Sequence, residues 1–150
     1  MGEKSTTKFP QEVLDQWADS GLDLSALFSA GHLGERMGLQ IVEASPERVV
    51  GTLPVEGNTQ PYGLLHGGAS AVLAETLGSV GAMLHGGPRK AAVGVDLNCT
   101  HHRGPRSGLV TGVATPTHRG RTMTTYEIAI TDEDGKRVCS ARLTCLLRDA

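Results

Sequence analysis

Aromatic residues are scarce in this chain, with two Phe, two Tyr and one Trp among 150 residues. The core therefore has to be filled by Val, Leu and Ala, and the 20 glycines point to backbones in close contact. Cysteine is sparse too. Cys99, Cys139 and Cys145 are odd in number and lack C-x-x-C spacing, which excludes a disulfide framework or zinc knuckle and leaves reduced cysteines on strands. With a formal net charge of -2, no global field favours nucleic acid or any other polyanion, so an anion site has to be local. No apolar run approaches the ~20 residues needed to cross a bilayer, and the polar Met1 to Lys8 segment leads into no signal-like stretch. These absences predict a cytoplasmic protein with no membrane partner. Also missing are a His/Cys/Asp/Glu set with metal-ligand spacing, a G-x-S-x-G elbow and a phosphate-binding G-x-x-x-x-G-K-[ST] loop. No metal and no cofactor is expected, and metal-free acid–base or carboxylate chemistry is what is left.

The length fits one domain. Pro10 to Ala30 reads as one or two short helices, with Val13, Leu14 and Trp17 on one face and Leu24, Leu27 and Phe28 resuming after Gly21. Residues 1–36 are thus expected to form an N-terminal helical extension, and 37–150 the main domain. From Met37 the period changes, and Met37 to Glu43 and Arg48 to Pro54 flank the turn signal Ala44-Ser45-Pro46-Glu47 as a hairpin. A polar loop, Glu56 to Pro61, precedes a long helix predicted from Gly68 to about Leu84 and ended by Gly86-Gly87-Pro88. Four strands follow: Ala91 to Thr100, Gly108 to Pro116, Met123 to Thr131 and Arg137 to Leu147. Read in series, they predict a four-strand meander with Asp132 to Gly135 as one of its turns.

The helix is unusual in composition. Glu75 is its only charge, and small or apolar residues point in nearly every direction, so it has to be buried on most sides. An α+β fold with an antiparallel sheet wrapped around a central helix satisfies that demand. A lone carboxylate in such a helix is costly unless it is paired, hydrogen-bonded or opened to a wet pocket. Either an arginine partner at an interface or a catalytic role accounts for it. Ser79 lies one turn on along the same face, as a packing residue or a hydroxyl beside the carboxylate. The glycines of His66-Gly67-Gly68 serve either tight packing or a helix start whose free N–H groups meet an oxyanion. His66 and Gln60 read equally as loop residues or as donors to that oxygen. His101 and His102 are adjacent, face opposite ways on an extended chain and cannot easily share a metal.

Taken together, Gln60-Pro61-Tyr62-Gly63-Leu64-Leu65-His66-Gly67-Gly68-Ala69-Ser70 and Leu73-Ala74-Glu75 closely resemble the central motif of bacterial hotdog-fold thioesterases of the phenylacetate-degradation type. The similarity runs on through Gly78-Ser79 and more loosely over residues 37–147, and leaves out the first 30. Within that family the motif is most similar to aromatic acyl-CoA thioesterases, both those acting on 1,4-dihydroxy-2-naphthoyl-CoA and enterobactin-pathway relatives acting on aroylated carrier protein. The resemblance implies Glu75 as nucleophile or general base and the Gly67 N–H as carbonyl polariser. It implies that Gln60 and His66 position the thioester and that Ser79 orients water. It also implies a homotetramer built as a dimer of dimers, with sites at the dimer interface. Loops after the helix would hold the CoA nucleotide, with Arg103, Arg106, Arg119 and Arg121 on its phosphates and Gly120 exposing a backbone donor.

Two other functions compete. A hotdog hydratase or dehydratase would use a histidine and a carboxylate as an acid–base pair, for which His66 and Glu75 are available. A non-catalytic acyl-CoA-binding module would use the same fold without turnover.

Overall fold

The structure is a computed structural model that describes residues 7–24 and 31–150. Helix α1 (Gln11–Ala18) follows Pro10 at its cap and buries Val13 and Trp17. Helix α2 (Gly31–Met37) lies past the helices read over Pro10 to Ala30 but within the expected N-terminal helical extension, and it takes Met37 from the expected first strand. Leu27 and Phe28 lie outside the described residues. Strands β1 (Gln40–Ala44) and β2 (Val49–Pro54) make the expected hairpin, closed by Ser45 and Arg48 exchanging backbone hydrogen bonds. The central helix α3 (Gly67–Gly86) is followed by β3 (Lys90–His101), β4 (Leu109–Arg119), β5 (Met123–Thr131) and β6 (Arg137–Asp149).

All six strands form one antiparallel sheet in the order β1-β2-β4-β5-β6-β3. This corrects the four-strand meander, because β3 pairs with β6 at the far edge and β4 pairs with β2. The reason lies in His102 to Gly108, which is a crossover and not a turn. It leaves β3 by donating from His102 and Arg103 to the Val138 carbonyl, accepts from Leu65 N–H at Pro105 (2.8 Å), and reaches β2 where Gly108 accepts from Val55 N–H. It therefore passes over the start of α3.

Helix and sheet meet at glycines on both sides. A methyl on Gly78 would lie 2.7 Å from the Leu143 side chain, and one on Gly81 would lie 2.6 Å from the Tyr126 ring. From the other direction, Gly51 and Gly112, paired across β2 and β4, leave room for Leu77. Tyr126 is wholly buried and meets its polar need by donating to the Pro46 carbonyl at 2.6 Å. At the β1 edge, Lys8 adds a parallel bridge through Lys8 N–H to Val42 and Ala44 N–H to Lys8, so the N-terminal segment covers that edge.

One flank of α3 stays open. Leu73, Ala74, Leu77, Gly78 and Gly81 face the sheet and are buried, whereas Gly68, Val72, Glu75, Thr76, Ser79 and Met83 form a half-buried to exposed stripe. Glu75 and Gly68 are the exposed residues of a helix that is otherwise buried or half-buried, in keeping with a helix buried on most sides. The sheet ends at β3, and among the described residues no strand lies beyond it to close over the stripe.

Candidate active site

Glu75 projects toward β3. A methyl on Gly94 would lie 2.6 Å from Glu75 Oε1, so the absent side chain leaves the space in which the carboxylate sits. The β3–β6 register shifts between Gly94 and Asp96, a bulge of the kind that re-aims groups beside active sites. Ser79 lies beside the Cys145 thiol and tempers the rise of its pKa, and Cys145 is the β6 partner of Gly94, so Glu75 and Ser79 face the same pair of strands. Burial pushes the thiols of Cys99, Cys139 and Cys145 up, that of Cys139 to about 12, and the charge of Glu75 adds to the rise at Cys99 and Cys145. All three cysteines are strand residues, and at neutral pH they stay protonated and poorly nucleophilic.

A second cluster forms at the start of α3. His66 is the N-cap, and its Nδ1 accepts from Gly68 N–H at 2.8 Å. That bond puts the proton of the neutral ring on Nε2, which is left as a donor. It also engages the Gly68 N–H, while the Gly67 N–H, first in the helix, has no intrahelical acceptor. Just upstream, Gly63 N–H closes a β-turn onto the Gln60 carbonyl at 2.9 Å with Pro61 and Tyr62 at its centre. Pro in second and Gly in fourth place suit a type I turn. The carboxamide oxygen of Gln60 accepts from Tyr62 N–H, so its NH2 end is the one turned away from the loop. Gln60, Gly67, His101, His102 and Arg103 line a cavity of about 320 Å³.

His101 belongs to this cluster although the sequence singles it out for nothing. A methyl on Gly67 would lie 2.9 Å from its Nε2, so the imidazole lies directly over the helix start. Strand alternation carried the signal: Leu97 and Cys99 pack on the core, and His101 continues their face. His102 turns the other way and bonds Ser140 Oγ at 3.0 Å, an oxygen that accepts from Arg137 at 2.8 Å.

The arginines divide between the two ends of the helix. Arg103 lines the cavity, and Arg106 donates to the Tyr62 carbonyl at 2.9 Å. Arg119, Gly120 and Arg121 sit at the far end, where Arg119 pairs with Glu47 and His85 bonds the Gly120 carbonyl at 2.9 Å. A helix of 20 residues makes these ends roughly 30 Å apart. The cluster at Gly67 and the carboxylate of Glu75 are separated by eight residues, about 12 Å of rise. A larger groove of about 770 Å³ on the outer sheet face, lined by Thr115, Glu127, Arg137, Ser140 and Arg142, holds none of the expected site residues.

The sequence profile of the thioesterase superfamily matches residues 62–139. This chain belongs to that superfamily. It is 52% identical over 116 residues to a putative esterase of Deinococcus radiodurans, covering 77% of this chain and 73% of the relative. It is 44% identical over 117 residues to the proofreading thioesterase EntH of Cronobacter turicensis, covering 77% of this chain and 85% of that protein. A crystal structure of a mutant of the thioesterase PA1618 from Pseudomonas aeruginosa superposes with a TM-score of 0.77 at 37% identity, over 87% of this chain and 96% of the other. The sheet around α3 is the hotdog fold, and the chain is a thioester hydrolase.

Gly94 gives the site a direct test. In Gly94→Ala the new methyl meets the tip of a flexible side chain, so the carboxylate moves and the strand stays. With Glu75 as a reacting group, turnover is expected to fall by roughly tenfold to a hundredfold, as misplacing such a group by an ångström does. Thiol-release kinetics beside a thermal melt will read both effects, and wild-type kcat in the variant would show that the seat on Gly94 is irrelevant.

Proposed function

We propose that the protein hydrolyses aromatic acyl-CoA thioesters at a site completed by two chains. The observation that carries this reading is the separation along one helix of an open carboxylate, Glu75, from an open donor cluster at Gln60, His66 and Gly67. One thioester carbon cannot lie within ~3 Å of groups about 12 Å apart. A two-fold dimer with antiparallel helices sets Glu75 of one chain beside the donors of the other and makes two equivalent sites. The unpaired outer edge of β3 supports it, since Val93 and Val95 there are 41% and 53% exposed. Two such dimers give the tetramer that the resemblance implies.

In that site the Gly67 N–H, at the positive end of the helix, polarises the thioester carbonyl and stabilises the oxyanion. The Gln60 NH2 and the His66 Nε2–H position the thioester. As general base, Glu75 takes a proton from a water held by Ser79 while the water oxygen attacks the carbonyl carbon. The tetrahedral intermediate then collapses, the C–S bond breaks, and the CoA sulfur leaves with the proton Glu75 has gained. As nucleophile, Glu75 attacks first, expels the thiolate and is freed when water cleaves the acyl anhydride. Arg103 beside the donors, and Arg119 and Arg121 from the far end of a helix, supply contacts for the CoA phosphates, whereas the Gly120 N–H, expected as a backbone donor, is already given to the Met123 carbonyl at 2.8 Å.

The acyl preference rests on the resemblance of the central motif and on the likeness to EntH. Measured by thiol release, kcat/KM for benzoyl-CoA or hydroxynaphthoyl-CoA is expected to exceed that for acetyl-CoA by roughly tenfold or more. Preference for acetyl or long saturated chains would move the protein to another hotdog branch.

A further inference from the structure

Among the described residues, one side chain from outside the turn that carries Gln60 hydrogen-bonds to it. Inside the turn, Gly63 N–H donates to the Gln60 carbonyl, Gln60 N–H donates to the Leu64 carbonyl at 2.8 Å, and Tyr62 N–H donates to the Gln60 carboxamide. Tyr62 is the pivot of that arrangement. Its N–H sets the direction of the Gln60 side chain, and its carbonyl accepts from Arg106 Nη1 at 2.9 Å across 44 residues of sequence. The same guanidinium would lie 3.5 Å from a methyl on Gly63, whose φ of +77° already restricts the position to glycine. Around it, the Leu65 N–H bond to Pro105 and the contact of Leu64 with Gly104 press the crossover onto the turn. Tyr62 is 81% exposed and its side chain has no hydrogen bond among the described residues, so the Tyr62 backbone is fixed by Gln60 on one side and Arg106 on the other.

We infer that Arg106 is a positioning residue for thioester hydrolysis, acting through Tyr62 to keep the Gln60 carboxamide aimed at the substrate. The inference rests on the reading of Gln60 as a substrate contact. It gives Arg106 a task distinct from holding a CoA phosphate. The chemical step is unchanged by it, and only the alignment of a donor depends on it.

The experiment compares wild type, Arg106→Ala, Arg106→Lys, Gln60→Ala and the Arg106→Ala/Gln60→Ala double variant. Each hydrolyses benzoyl-CoA and the benzoyl thioester of N-acetylcysteamine, which has no phosphate. Arg106→Ala is expected to lower kcat by roughly tenfold on both thioesters with KM little changed, because it misaligns a donor. Lysine keeps one charged donor for the Tyr62 carbonyl, so Arg106→Lys should recover most of the rate and guard against a folding defect in the alanine variant. In the double variant Arg106→Ala should cost nothing beyond Gln60→Ala, since the two act as one unit. A loss confined to the CoA thioester and expressed as a raised KM would make Arg106 a phosphate contact and overturn the inference. Additive losses, or an Arg106→Ala enzyme at wild-type rate, would overturn it too. Full activity in Gln60→Ala would remove the reading of Gln60 and this inference with it, whereas a Gln60 loss with additive Arg106 loss removes this inference alone.

Discussion

Glu75→Gln is expected to lower turnover by about a thousandfold or more while the fold and its stability are kept. Glutamine has the shape of glutamate, so the space left by Gly94 is filled as before. What is lost is a group able to take a proton or attack a carbonyl at neutral pH. Stability should change by no more than about 0.5 kcal/mol, since Glu75 is exposed and no ion pair holds it among the described residues. Circular dichroism and a thiol-release assay on one preparation measure both quantities. Near-normal kcat in a folded Glu75→Gln protein would take the carboxylate out of the mechanism.

Much of the fold is written in local pattern. The expected strand Met123 to Thr131 is observed with those bounds as β5, and β3 extends one residue past the expectation at each end. Strong alternation and the turn at Asp132, where the carboxylate accepts from Asp134 and Lys136 N–H, mark both strands of that hairpin plainly. Sheet order is a different kind of information. Alternation shows which face of a strand is buried and is silent about which strand lies beside it, so the place of β3 was not legible. The openness around Glu75 follows from that place. Composition shows that α3 packs on something, and only the position of β3 at the sheet edge shows which flank the described residues leave bare.

The candidate site divides in the same way. Glu75, Gly67, His66 and Gln60 stand out because the motif places them within 16 residues of one another, on one helix and the loop before it. His101 and Gly94 come from β3 and reach the site only through tertiary packing. Gly94 is one glycine among 20 and nothing in its neighbours marks it. The arginines are less legible for a related reason, because a charge on a loop shows neither what it already binds nor which end of the helix it reaches. Arg119 is engaged by Glu47, and Arg106 by the Tyr62 carbonyl.

A site completed by two chains is the proposal on which the rest depends, and its largest consequence is complementation between inactive chains. A Glu75→Ala chain keeps its donor cluster, and a chain altered at Gln60 or His66 keeps its carboxylate. In a mixed dimer one of the two sites receives both defects and the other receives neither. Each homodimer carries a defect in both sites and should turn over far below the wild-type rate. The decisive measurement is the thiol-release rate of purified mixed dimers, made by co-expressing Glu75→Ala and Gln60→Ala chains with different affinity tags. The predicted result is about half the wild-type rate per dimer, from one intact site of two. Mixed dimers as inactive as both parents, with each parent folded and dimeric, would contradict the shared site.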